Sequence, residues 1–378
     1  MSLSMVCRVA VLAGAMLRSA NAQAPGMPFS RVALANLPQP PVPSDPLELV
    51  ASNAQPVQDA TQRATIINLL ANAKALSNVR AYPYDLKTTF TSFGSSSSDG
   101  NWQLENVSPG RGLYRWTAQG PGYSVINVNK EKLFYSNQPN VGIPLRLAQV
   151  RAAVFYVDSI FGSRASIRTA AATLNGVDLI CALTERMSPP KSAAGGRLWD
   201  ESEFCMDQKS GLLVTYSPVP GLYIQYDYSN AVHFHDKIIP SKFTITEGGR
   251  TMIEAHTDGV SDPTNLDPSL FDVSGLSAVG VGPIENPPSN FRSVEYPPQD
   301  SPNVTLQFVV LHAMVSPDGH LSDAEVLASS DSSKNQHALD RLANWQNRPM
   351  MRDAQQPGTA PQSHELFFTF QFAVPAGS

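Results

Sequence analysis

The chain has 378 residues, 16% of them charged, and a formal net charge of −5. A net acidic balance gives no electrostatic reason to bind nucleic acid or an anionic membrane surface, and excludes both as charge-driven partners. Charged residues fall below the ~25% usual in globular proteins, and uncharged polar residues take their place, as suits an exported β-rich protein.

The first element is an export signal. Arg8 precedes an apolar run from Val9 to Leu17, too short for the ~20 residues of a membrane span. Ala20-Asn21-Ala22 then supplies the small residues that signal peptidases accept. Residues 1–22 are therefore expected to be removed after Ala22, leaving a periplasmic or secreted chain with no transmembrane anchor. Cys7 precedes the apolar run, so it is not a lipid-attachment cysteine. Losing Arg8 and Arg18 moves the net charge from −5 to −7. The remaining length suits two or three domains of ~100–200 residues.

Residues 23–50 are rich in proline, glycine and alanine without a sustained period, and read as a flexible leader. From Pro56, Ala60, Ala64, Ile67, Leu70, Ala71 and Leu76 recur at helical spacing, so a helix is expected to end near Asn78. The period then becomes two. Strands are expected over 84–93, 102–107, 112–118, 123–128 and 133–135, the pattern of an antiparallel meander. A second helix over 144–161 is apolar almost all round and is expected to be buried. Strand-like runs follow over 177–187 and 198–206. Alternation returns over 222–228 and at Phe243 and Ile245, and Gly248-Gly249 marks a hairpin turn before 251–257. Order fades from 272 to 290, where Gly280, Gly282, Pro283, Pro287 and Pro288 mark a domain boundary.

The C-terminal stretch reads β-β-α-β. Val304, Leu306, Phe308 and Val310 alternate, Ser316-Pro317-Asp318-Gly319 turns the chain, and 321–327 returns as a strand. Ser333 with Gln336 forms a capping box. Ala338, Leu339, Leu342 and Trp345 then give one apolar helix face. Leu366, Phe368, Phe370 and Phe372 alternate along a last strand.

Cys181 and Cys205 are the cysteines that survive cleavage. An even pair in an oxidising compartment reads as a disulfide; two buried thiols are the alternative. Two cysteines do not complete a zinc shell.

The C-terminal residues resemble a known family. Val309-Val310, Val315-Ser316-Pro317-Asp318-Gly319, Asp323-Ala324-Glu325-Val326-Leu327 with Ser329-Ser330, then Trp345, Arg348 and Pro349, and Phe368-Thr369-Phe370-Gln371-Phe372, are similar to the C-terminal domain of TonB-type proteins. The resemblance covers residues of about 290–375. It implies that family's fold and docking by strand addition at a sheet edge. An uncleaved anchor and a long proline-rich spacer, which the energy transducers carry, are missing. Residues Phe204-Cys205-Met206-Asp207-Gln208-Lys209-Ser210-Gly211-Leu212-Leu213-Val214, with the strands ending at Gly248-Gly249-Arg250, resemble the layout of the periplasmic lipoprotein-carrier (LolA/LolB-like) superfamily. That likeness implies an antiparallel half-barrel over helices with an apolar cavity for acyl chains.

Candidate chemistry is sparse. His233 and His235 share a strand face with Asp236 adjacent, and Glu254 and His256 have the same spacing; His233, His235 and His256 are weak metal candidates against a reading as polar surface residues. No Gly-x-Ser-x-Gly, His-Glu-x-x-His, Cys-x-x-Cys, P-loop or dinucleotide motif occurs, so no catalytic residue and no cofactor is assigned. Asp200, Glu201 and Glu203 read as a charged hairpin tip. Tyr223, Tyr226, Tyr228, Phe234 and Phe243 are candidates to line a ligand cavity, core packing being the alternative.

The expected fold is therefore α+β: an antiparallel half-barrel sheet packed on helices over 51–273, a linker over 274–290, and a small TonB-like β-β-α-β domain over 291–378. The expected function is a non-catalytic exported binding or adaptor protein for an apolar or lipid ligand or an outer-membrane or periplasmic protein partner. The alternatives are an accessory partner in TonB-dependent outer-membrane transport and a metal-dependent hydrolase using His233 and His235.

Overall fold

Residue spacing of two along most of the chain becomes one very long sheet. A computed structural model describes residues 54–94, 98–139, 141–155, 166–185, 201–280, 289–295, 304–315, 320–345 and 364–375. The signal and leader, the 316–319 turn, Asp200, Arg348 and Pro349 lie outside them. The described chain opens with a two-residue strand β1 (Gln55–Pro56) and helix α1 (Ala60–Ser77). A first meander follows: β2 (Tyr84–Ser92), β3 (Gly100–Gly110), β4 (Leu113–Gly120), β5 (Tyr123–Lys130) and β6 (Leu133–Ser136). Helix α2 (Leu145–Phe155) separates it from a second: β7 (Ser166–Leu174), β8 (Val177–Glu185), β9 (Ser202–Asp207), β10 (Leu213–Val219) and β11 (Leu222–Asp227). A small ribbon of β12 (Val232–Phe234) and β13 (Lys237–Ile239) precedes β14 (Lys242–Glu247) and β15 (Arg250–Ser261). β16 is Ser277–Gly280.

The two meanders join where β15 pairs antiparallel with β2, and the sheet reaches 14 strands in the order β1-β7-β8-β9-β10-β11-β14-β15-β2-β3-β4-β5-β6-β16. It is open, with β1 and β16 at its edges. Twisted sheets rarely exceed ~10 strands without curling, because each strand rotates against its neighbour. Bulges such as those between Thr257 and Gly259 and between Val107 and Gly110 add bend. Tight turns hold the hairpins: Asn175-Gly176 and Gly248-Gly249 take the positive φ that two-residue hairpin loops require.

Helices α1 and α2 fill one face of this sheet. Asp59 caps α1, its Oδ1 accepting from the Gln62 amide at 2.7 Å. Ile66, Leu70 and Ala73 point inward, whereas Ala60, Ala64 and Ala71 are exposed. The expected stripe is thus displaced, because Ile66-Ile67 and Leu69-Leu70 offer two overlapping apolar faces and tertiary packing chooses one. In the same core lie Leu147, Val150 and Ala153 of α2 with Leu86, Phe90, Trp102 and Trp116 of the sheet. The buried helix α2 also carries Arg146, Gln149 and Arg151 inward. Residues 156–161 of the expected second helix lie outside the described residues.

The C-terminal sheet has the order β17-β20-β18-β19. Its strands are β17 (Ser289–Glu295), β18 (Val304–Val315), β19 (Leu321–Ser329) and β20 (His364–Pro375), with helix α3 (Asn335–Trp345) between β19 and β20. The β-β-α-β order is present, and β17 adds a parallel edge strand beside β20. Two strands therefore lie in or beside the stretch read as linker: β16 pairs with β6, and β17 joins the second sheet. A short 3-10 turn capped by Asp331 precedes α3 in place of a Ser333–Gln336 box. One sheet face, with Val309, Leu311, Leu366, Phe368 and Phe370, packs Ala338, Leu339 and Leu342 of α3. The opposite face carries Val310 and Phe367, and these join the core of the long sheet together with Leu327 and Ala328.

Candidate functional site

Alternation on β11 and β14 sets the site's floor. Tyr226 and Phe243 are direct cross-strand partners on the inward face, their ring centroids 6.0 Å apart. Above them a cleft of about 500 Å³, counted out to its mouth, runs between the sheet and the ends of α1 and α2. Val79, Leu86, Ala153 and Val154 form apolar walls, with Tyr228 at one side and the hydroxyls of Ser77 and Thr257 also on the lining. The Tyr226 hydroxyl donates to the Ala153 carbonyl at 2.9 Å and ties β11 to α2. Burial pushes the phenols of Tyr226 and Tyr228 above their ordinary range, so both stay neutral. The cleft is narrow.

Three of the five aromatic candidates, Tyr226, Tyr228 and Phe243, meet at this cleft. Tyr223 does not: one residue off in a period-two strand, it faces the other side and packs with Leu179, Cys181 and Cys205. Phe234 lies in the core edge-on to Tyr82, centroids 6.2 Å apart. Cys181 and Cys205 face each other across β8 and β9 and are joined by a disulfide.

The histidines are dispersed. β12 ends at Phe234, and His235 turns away with φ 53°, so His233 and His235 do not share a strand face. His235 stacks on Tyr82 at 4.3 Å, and its Nε2 lies 2.7 Å from Asp262 Oδ1. His256 is an exposed residue of β15 opposite Thr89 and Lys242. Among the described residues, ligand-type side chains converge in two other groups, Cys181–Glu203–Cys205 and Glu247–His312–Glu325. The first spends its sulfurs in the disulfide, leaving no thiolate to bind a metal.

The second group belongs to a charged seam where the C-terminal sheet meets α2 and the end of β14. Arg146 Nη1 lies 2.8 Å from Glu247 Oε1, and its Nη2 lies 3.8 Å from Glu325 Oε2. The Gln149 amide donates to Glu247 and, at 3.0 Å, to Glu365. His312 Nδ1 lies 3.0 Å from Glu365 Oε1, and its Nε2 lies 3.5 Å from Glu325 Oε2. Burial alone would lower the His312 pKa, but the Glu247 charge and the bonds to Glu325 and Glu365 outweigh it and push it up to about 10. Burial would likewise raise Glu325; the His312 bond and charge, with Arg146 and Arg250, pull it down to about 2. Arg146 holds Oε1 of the Glu247 carboxylate. In this structure the seam is a set of paired charges.

Neither a protein family nor a curated protein matches the chain. Among solved structures, a domain described as an outer membrane lipoprotein-sorting protein from Vibrio parahaemolyticus is 11% identical, covers 55% of this chain and 95% of its own, and has a TM-score of 0.34. A LolA-superfamily protein from Nitrosomonas europaea is 9% identical, covers 54% of this chain and 96% of its own, and has a TM-score of 0.36. Likeness at that level carries no argument about function.

Glu201 and Glu203 have a different place from the one expected. Glu201 and Glu203 are fully buried on the sheet. Arg168 grips Glu201 with a two-point fork, Nε to Oε1 at 2.7 Å and Nη2 to Oε2 at 2.6 Å. A hairpin tip would be solvated; here Glu201 and Glu203 are buried and Glu201 pairs with Arg168 of β7. His312, Arg146 and Phe367 escape a reading of the sequence by period alone. The signal for Phe367 is present, since Glu365, Thr369 and Gln371 make its face otherwise polar.

Proposed function

We propose that the chain is an exported, non-catalytic carrier-like protein that takes an apolar ligand into the cleft over Tyr226 and Phe243. The observation that carries this is the lining: aliphatic walls, aromatic floor and a few neutral hydroxyls, with no charged side chain among the described lining residues. Clefts that take small apolar molecules have this composition. No helix among the described residues is long and apolar enough to cross a membrane. The export signal read from residues 1–22 places such a carrier in the periplasm or outside the cell.

The segment 291–378 serves in this reading as a TonB-like docking unit. One face of its sheet packs on the half-barrel and α3 covers the other, so a protein partner would add at an edge strand, β19 being the outermost on its side. A role as accessory partner in TonB-dependent transport rests on that edge. The carrier reading is tested by native mass spectrometry of the purified mature chain incubated with palmitate. A one-to-one adduct is expected; a spectrum holding only the bare chain at saturating palmitate would rule the reading out.

A further inference from the structure

The donors of the seam offer more than paired charge. One ligand atom from each of Glu247, His312 and Glu325 lies within 4.8 Å of those of the other two. Glu247 ends β14 of the long sheet, whereas His312 of β18 and Glu325 of β19 are direct cross-strand partners in the C-terminal sheet. Among the described residues, Glu247 Oε2, His312 Nε2 and Glu325 Oε2 are buried atoms that make no hydrogen bond. Buried polar atoms are nearly always satisfied, and three exceptions in one cluster point to a group that all three share.

The histidine is oriented as a ligand. Its Nδ1 lies 3.0 Å from Glu365 Oε1, and that oxygen accepts from the Gln149 amide at 3.0 Å. A carboxylate on one ring nitrogen fixes the tautomer and leaves the lone pair of the other nitrogen for a metal. Here the other nitrogen is Nε2, which faces Glu325 Oε2 at 3.5 Å. That gap is long for a hydrogen bond, whose usual length is ~2.7–3.2 Å. It matches two donors on one zinc-like ion, which at bonds of ~2.0–2.2 Å stand roughly 3.4 Å apart. With His312 neutral, the carboxylates of Glu247, Glu325 and Glu365 outnumber the guanidinium groups of Arg146 and Arg250 that face them, so the cluster is net negative.

We propose that Glu247, His312 and Glu325 bind one divalent transition-metal ion of the zinc type, with Glu365 orienting the imidazole. Mixed nitrogen and carboxylate donors suit Zn2+ over Ca2+ and Mg2+, which take oxygen ligands. The ion takes the place of the proton on His312. The Glu325 side chain, 21% exposed, gives it a way in from solvent. Arg146 keeps its hold on Glu247 Oε1, so the ion takes Oε2. Because the donors come from both sheets, the ion is a clasp between the C-terminal unit and the long sheet, independent of the apolar cleft.

The full mature chain, made without an affinity tag and stripped with a chelator, is titrated with Zn2+ by calorimetry. One equivalent is expected to bind and to raise the melting temperature. His312→Gln and Glu325→Gln are each expected to weaken binding about tenfold or more and to lose the rise in melting temperature. The double variant His233→Ala with His235→Ala is expected to bind as wild type does. No binding by wild type overturns the site. Binding that both seam variants leave unchanged, or that the His233 and His235 variant loses, places the ion elsewhere and overturns it too. Where His312→Gln fails to fold, Glu325→Gln decides alone.

Discussion

His312 of β18 and Glu247 at the end of β14 come from different sheets and meet with Nδ1 and Oε1 3.6 Å apart, both buried. Arg146 reaches the same Glu247 oxygen from α2, and Glu325 and Glu365 complete the set from β19 and β20. Removing charges from water is costly, and here each charge is paired with a charge from another element. Arg146–Glu247 lies on the long-sheet side and His312 with Glu325 and Glu365 on the C-terminal side, so docking adds His312–Glu247, Arg146–Glu325 and Gln149–Glu365, and these specify how that sheet sits.

Breaking the seam from one side leaves charge buried without its partner. His312→Gln is expected to lower stability by about 3–5 kcal/mol, the usual cost of removing one member of a buried pair. Urea unfolding followed by tryptophan fluorescence measures it. A midpoint equal to wild type would show that the seam is not closed in solution.

The seam also fixes a pH dependence. His312 is held at about 10, above its usual 6.5, so its contribution is fully present below 6.5 and is lost as pH rises through about 10. Glu325 is held at about 2, below 4.5, so its contribution is present above 4.5 and fades as pH falls towards 2. The melting temperature should fall from neutral pH into the alkaline range more steeply in wild type than in His312→Gln. Parallel curves for the two proteins would contradict the assignment.

Close approach of the backbones gives a separate test of docking. Gly221 has φ 85°, and a Cβ there would lie 2.3 Å from the Leu327 carbonyl oxygen. Gly112 has φ 76° with nothing within 4 Å of such a Cβ. Gly221→Ala should cost about 2–4 kcal/mol, combining backbone strain with overpacking, and Gly112→Ala only about 1–2 kcal/mol from strain alone. Equal costs from chemical unfolding would place Leu327 away from Gly221.

Much of the fold is legible in the residues because its cause is local. The buried alternation of Tyr84, Leu86, Thr88 and Phe90 and the Gly248-Gly249 turn are properties of a few adjacent residues. The seam is not local. Gln149 finds Glu247 and Glu365 at sequence separations of 98 and 216 residues, so a polar residue in an apolar helix carries no sign of its partners. Within the cleft, period two separates Tyr226 from Tyr223 but says nothing of Phe234, whose place depends on Tyr82 of another segment. The join of β15 to β2, which turns two meanders into one sheet, has no local signature either.

The disulfide supports the wall opposite the cleft. It links positions 24 residues apart on adjacent strands, and losing it should cost about 3 kcal/mol by the loop-entropy relation. Cys181→Ala with Cys205→Ala, compared with wild type by urea unfolding under oxidising conditions, measures this. A loss well under 1 kcal/mol would mean that the unfolded chain is already compact there.

The cleft itself is reached most directly by photolabelling. A palmitate analogue carrying a diazirine along its chain, bound to the mature protein and activated by light, should mark the peptides that hold Val154, Tyr226, Tyr228 and Phe243. Excess unlabelled palmitate should abolish the mark. Label confined to other surfaces, or label that excess palmitate does not compete away, would contradict an apolar-ligand site beneath α2.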